Sequence, residues 1–134
     1  MRVFEGNQDT PTESSRNKVN IVDENNVFVG YDFEHSCCEN FGYYFTKKLP
    51  TTKDDPLKED QKSCNFRHEE YQFDTKFFLE LNGEKYDEGG AVVFLLKNKW
   101  GSKVYLVLYN CHNGYYSHGF EMFVGDKKLR DGDI

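Results

Sequence analysis

Several things are scarce in this chain, and each scarcity narrows what it can be. Of its 134 residues only three are proline and one is tryptophan. No basic run exceeds the pairs Lys47-Lys48 and Lys127-Lys128, and the net charge is −6. Affinity for nucleic acid comes from clustered Lys and Arg, so no nucleic-acid partner is expected. No apolar stretch approaches the ~20 residues that span a bilayer, so no membrane partner is expected either. The segment MRVFEGNQDTPTESS lacks the apolar core of a secretory signal. A cytoplasmic location follows as an expectation, and with it reduced thiols. Four cysteines do not suggest two disulfides here, because Cys37 and Cys38 are adjacent.

What the chain does have is aromatic: twelve Phe and nine Tyr, 16% with the one Trp. A chain of this length makes one domain and buries a core of its own. Residues 1–18 are expected to be a polar N-terminal arm, and 19–134 a single β-rich domain. Val19 and Ile21 alternate, Glu24-Asn25-Asn26 interrupts, and Val27, Val29, Tyr31 and Phe33 resume the period of two that marks a strand hairpin. Phe41, Tyr43 and Phe45 continue it. A long surface loop is expected near 46–66, with a helical turn at PLKEDQK. Residues 71–81 fit a strand ending at an Asn82-Gly83 turn, although Phe77, Phe78 and Leu81 also suit a helix. The segments 91–97, 103–111 and 115–124 predict a C-terminal three-stranded antiparallel meander. The first two are apolar almost throughout, as central strands covered on both faces are. The expected fold class is mainly β, a single antiparallel sheet domain, with α+β as the alternative.

Two stretches concentrate chemistry: HSCCENFGYY at 35–44 and CHNGYYSHG at 111–119. Zinc sites commonly space two cysteines by two to four residues, so that both thiolates reach one ion. Cys37 and Cys38 are adjacent, and neighbouring strand residues point to opposite faces. His35 and Cys37 do share a face, as do Cys111 and Asn113, and Cys64, His68, His112 and His118 are further candidates for a site between strands. The expectation is nevertheless of small buried thiols, with no metal and no cofactor. A cysteine-dependent hydrolase would need Cys37 or Cys38, a histidine such as His112 or His118, and Glu39 to converge. No nucleophile elbow, phosphate loop or metalloprotease motif accompanies them, so no enzyme is expected. Gly-Tyr-Tyr at a corner places one tyrosine in the core and the other on a surface suited to binding.

The two blocks together resemble a bacterial and phage family, without an assigned activity, whose members carry His-x-x-Asp-Cys-Cys-Glu and, near the C-terminus, Ser-Asn-Gly-Tyr-Tyr-Ser-Glu. Here the first block is His35-Ser36-Cys37-Cys38-Glu39 and the second His112-Asn113-Gly114-Tyr115-Tyr116-Ser117-His118. Ser36 stands where the family has an acid, and His112 and His118 where it has Ser and Glu. The resemblance covers the two blocks directly and residues 27–124 in general layout. It implies a small sheet domain of bacteria or their mobile elements.

An acidic, aromatic-rich domain without a catalytic signature fits a non-enzymatic cytoplasmic protein that neutralises a basic protein partner, of the toxin-immunity or anti-defence kind. The expected partner-binding residues are Asp54, Asp55, Glu69, Glu70, Asp87, Glu88, Tyr44 and Tyr116. The alternative is a small-ligand or metal-binding module, with Cys37, Cys38, Glu39, Asn113, Tyr115 and His118 lining one pocket.

Overall fold

A computed structural model describes residues 1–6, 18–34, 40–112 and 116–134. The chain is mainly β, but its strands form two antiparallel sheets rather than one. Sheet A has the order β1-β2-β3-β8-β9, from β1 (Arg2–Gly6), β2 (Lys18–Val22), β3 (Val27–Asp32), β8 (Gly119–Val124) and β9 (Lys127–Asp133). Sheet B has the order β4-β7-β6-β5, from β4 (Phe41–Thr46), β5 (Gln72–Leu81), β6 (Gly90–Lys97) and β7 (Lys103–Asn110). The one α-helix among the described residues, α1 (Pro56–Gln61), lies in the long loop where a helical turn is expected. The expected polar arm begins as a strand: β1 pairs with β2 from Arg2↔Val22 to Gly6↔Lys18. Five residues with one Val and one Phe are too short for a period to be read.

The burial pattern explains why one sheet would not suffice. Val92, Phe94 and Leu96 of β6 and Val104, Leu106 and Leu108 of β7 face sheet A. They pack there on Val19, Ile21, Val29, Tyr31, Phe120 and Met122. Ala91, Val93, Leu95, Tyr105, Val107 and Tyr109 turn to the other side and form a second cluster with Tyr44 and Tyr86. Strands apolar on both faces need a layer on each side, and sheet A supplies one of them. The antiparallel succession expected over the last third is present. It is divided between the sheets, with β6 and β7 paired in B and β8 crossing to lie between β3 and β9 in A.

Two local features join the layers. The β2–β3 hairpin turns at Asn26, whose φ is 59°, and is held by Asp23. One carboxylate oxygen accepts from the amides of Asn25 (2.9 Å) and Val27 (3.0 Å). The other accepts from Phe73 N on β5, at 2.9 Å. The second feature is a break in β5, whose register with β6 shifts between Asp74 and Leu79. Phe73 faces the inter-sheet core while Phe77, Leu79 and Leu81 face the outer cluster, so residue parity changes across the break. Phe78 then turns inward onto Phe94 and Phe120, with ring centroids 5.6 and 5.8 Å away. That change of parity is why the segment also satisfied a helical spacing.

Candidate functional site

Acidic groups gather over the outer face of sheet B. Pro56 opens α1, and Asp55 caps it by accepting from Leu57 N at 3.1 Å. A proline at the first helical position loses no bond there, and an Asp cap satisfies one of the free amides. The helix so placed lowers Asp60 onto β7, where the Tyr109 hydroxyl donates to its Oδ2 at 2.5 Å. Gly42 lies directly across from Tyr109 in the β4–β7 pairing. A Cβ on Gly42 would sit 2.9 Å from both Asp60 Oδ2 and the Tyr109 hydroxyl. The glycine of the first Gly-Tyr-Tyr therefore makes room for this contact. Tyr43 turns into the inter-sheet core, and Tyr44 packs in the outer cluster.

The groups beneath register a shared negative field. Burial raises the pKa of the Tyr44 hydroxyl far above its usual value, and Tyr86, Asp54, Glu59 and Asp60 add to the shift. Burial does the same to Tyr109, helped by its bond to Asp60. Tyr86 is pushed to about 12 by burial and then by Asp54 and Cys111. Burial, followed by Asp55 and Asp87, pushes the Cys111 thiol up to about 11. Asp54, Asp55, Glu59, Asp60 and Asp87 thus share one face, acting on one set of buried side chains.

The expected partner-binding residues separate. Asp54 and Asp55 lie at the start of α1 and Asp87 beside them, though Asp54 is already engaged by Thr51 N (2.8 Å) and Lys48 Nζ (3.2 Å). Glu69 and Glu70 lie elsewhere, on a 3-10 turn (His68–Glu70) where Glu70 is 3.5 Å from Arg67. Glu88 lines a cleft described below. Tyr116 is 47% exposed. Tyr44 is not a surface residue: it is 1% exposed, because α1 and Tyr86 cover its face of the sheet. Glu59 and Asp60 escaped the sequence reading, although a capped helical turn at PLKEDQK was signal enough to place them near Asp55.

Of the expected ligand pocket, Cys37, Cys38, Glu39, Asn113 and Tyr115 lie outside the described residues. The segments flanking both blocks do meet. Cys111 N donates to Asn40 O at 2.8 Å, and Asn110 Nδ2 donates to Tyr116 O (2.7 Å) and Ile134 O (2.9 Å). His118 is buried, stacked on Phe41 with centroids 4.0 Å apart, its Nδ1 2.9 Å from Asp32 O. It is a packing residue at this end of the sandwich. Two clefts lie beside it and share Phe120, Asp131, Gly132 and Asp133. One, of about 290 Å³, adds Glu80, Glu88, His112 and Ser117. The other, of about 470 Å³, adds Lys18, Asp32 and Glu121.

Among the described residues no three His, Cys, Asp or Glu side chains come together to hold a metal ion. The two described thiols, Cys64 and Cys111, are free and both raised by burial, the opposite of what a nucleophilic cysteine requires. Among the described residues no helix is long and apolar enough to cross a membrane. Comparison with protein-family models, curated proteins and solved structures returned no match to this chain.

Proposed function

We propose that this is a non-enzymatic, cytoplasmic binding protein that neutralises a basic protein partner, of the toxin-immunity or anti-defence kind. The observation that carries the reading is the acidic face over sheet B. Asp54, Asp55 and Asp60 are held by hydrogen bonds within the chain above a base of buried tyrosines, and Glu59 and Asp87 add their charges to the same face. Preorganised like charges on one face speed encounter with a partner of opposite sign and lose less entropy on docking. Glu59 and Asp87 are the most available of the five, since Asp54, Asp55 and Asp60 are each engaged within the chain. The resemblance of the two Cys-Cys-Glu and Asn-Gly-Tyr-Tyr-Ser blocks to a bacterial and phage family is consistent with such a role.

The test is capture from host lysate with immobilised wild type beside a Glu59→Lys/Asp87→Lys variant. The expected result is one stoichiometric basic protein that the wild type retains at low salt, releases as salt rises, and that the variant fails to retain. Equal retention by both would refute the acidic-face reading. A second reading, a small-ligand module, is favoured by the two clefts beside the meeting point of the blocks. Mass spectrometry of the natively purified protein before and after denaturation tests it, and the absence of any released small molecule or metal would remove it.

A further inference from the structure

The lysines of the β6–β7 turn share their end of sheet B with carboxylates, since Gln72 opposite Lys97 brings the His68–Glu70 turn to the same end. β6 and β7 are joined by a tight turn in which Asn98 Oδ1 accepts from Trp100 N (3.0 Å) and Ser102 N (2.9 Å), with Gly101 at φ 84°. At its tip Trp100 is 66% exposed, and the Lys99 ammonium lies 4.6 Å from its ring centroid. Below the turn Lys97 and Lys103 face each other directly in the strand register. Like charges so placed oppose pairing. Asp74 offsets Lys97 at 3.0 Å, while neither Lys99 nor Lys103 forms an ion pair among the described residues. β4 ends at Thr46 opposite Tyr105, so Lys47 and the 48% exposed Leu49 leave the sheet at this same end. Residues some fifty positions apart in sequence thus bring lysines and two exposed apolar side chains to one end of sheet B.

We propose that this end of the sandwich docks onto an anionic lipid surface. An indole flanked by ammonium groups suits the headgroup level of a bilayer, where Trp is enriched and clustered lysines are attracted to acidic lipids. A hairpin turn with one exposed ring offers a single insertion point to a lipid surface, whereas a single-stranded nucleic acid needs a groove with successive stacking platforms. The inference departs from the expectation of no membrane partner, which rested on the lack of a spanning segment. It rests on the β6–β7 turn and not on the acidic face, which it adjoins where Lys48 pairs with Asp54.

Trp100 is the chain's only tryptophan, so its emission reports on the tip directly. Purified protein is mixed at low salt with vesicles of phosphatidylcholine alone, or phosphatidylcholine with phosphatidylglycerol, and both emission and co-sedimentation are followed. The expected result is a blue shift and sedimentation with the acidic vesicles only, weakened by added salt. Each lysine near such a surface contributes about a fivefold factor in partition, so Lys99→Gln/Lys103→Gln should bind about 25-fold more weakly. Trp100→Ala, at an exposed position, should keep the thermal midpoint and lose sedimentation. Glu59→Lys/Asp87→Lys should still bind vesicles. No response to acidic vesicles, equal binding to neutral ones, or unchanged binding by the double lysine variant would each overturn the proposal. So would a response confined to polyglutamate or to a single-stranded oligonucleotide.

Discussion

Removing the Asp23 carboxylate should loosen both the β2–β3 hairpin and its attachment to sheet B. The side chain is 6% exposed and accepts from three backbone amides, two of them in the hairpin and one on β5. In Asp23→Ala the amides of Val27 and Phe73 lose their acceptor at buried positions, while Asn25 N, partly exposed, can turn to water. A buried hydrogen bond to a charged group contributes roughly 1.5–3 kcal/mol, so two of them put the loss at about 3–6 kcal/mol. That is a large share of the ~5–15 kcal/mol by which domains are stable. Asp23→Asn should lose about half as much, because one oxygen remains while the new amide nitrogen confronts an N–H. Urea denaturation reads the difference directly: with a slope of about 2 kcal/mol per molar, the alanine variant should unfold about 2 M earlier. A loss below about 1 kcal/mol at unchanged slope would refute the role assigned to Asp23. Amide exchange adds a local check, since Phe73 N–H should lose protection in the alanine variant.

The remaining predictions concern the outer face of sheet B. Gly42→Ala should destabilise by about 1–3 kcal/mol, because its methyl would press on Asp60 and Tyr109. Its effect should be non-additive with Asp60→Ala by at least ~0.5 kcal/mol, and additivity would show that the two do not touch. In a phenolate titration of the folded protein, Tyr86 should ionise near pH 12, with Tyr44 and Tyr109 later still. These hydroxyls are raised above their unfolded values, so they stabilise the fold fully below about pH 10, and that contribution falls away as pH rises from there through their folded values. A stability curve flat across that alkaline range would count against their burial. Cys111, held near 11, should resist alkylation at neutral pH, and Asp87→Asn should quicken its reaction. Peptide-like reactivity at Cys111 would contradict the acidic field.

The strands were legible wherever one face or both were apolar without interruption. β2, β3 and β4 showed a clean period of two, and β6 and β7 an unbroken run, so their existence and extents followed from the residues. What periodicity does not carry is the partner of each strand. Val29 or Phe120 would look the same in one large sheet as in two facing ones, and only the need to cover both sides of β6 and β7 decides between them. β5 carried a mixed signal because its register break changes which residues face inward. The acidic loops are legible one by one in the sequence but not as a group. Asp55, Glu59 and Asp87 come from segments that converge only after α1 has been laid across the sheet.

The first Gly-Tyr-Tyr shows where a motif's meaning divides between chain and fold. Alternation alone dictates that Tyr43 and Tyr44 point to opposite faces, and they do. The sequence reading made one of them a surface residue because it supposed a sheet with one wet side. In sheet B both tyrosines pack, half-buried Tyr43 against the inter-sheet core and Tyr44 beneath α1, where its hydroxyl joins the base under the carboxylates. Gly42 lies within a paired strand, as the alternation of Phe41, Tyr43 and Phe45 implies, and its missing side chain admits Asp60 and Tyr109. A glycine in a strand more often marks close approach than a turn, and here the approaching group carries the acidic face. The functional proposal therefore rests less on the tyrosines than on the residue beside them that has no side chain.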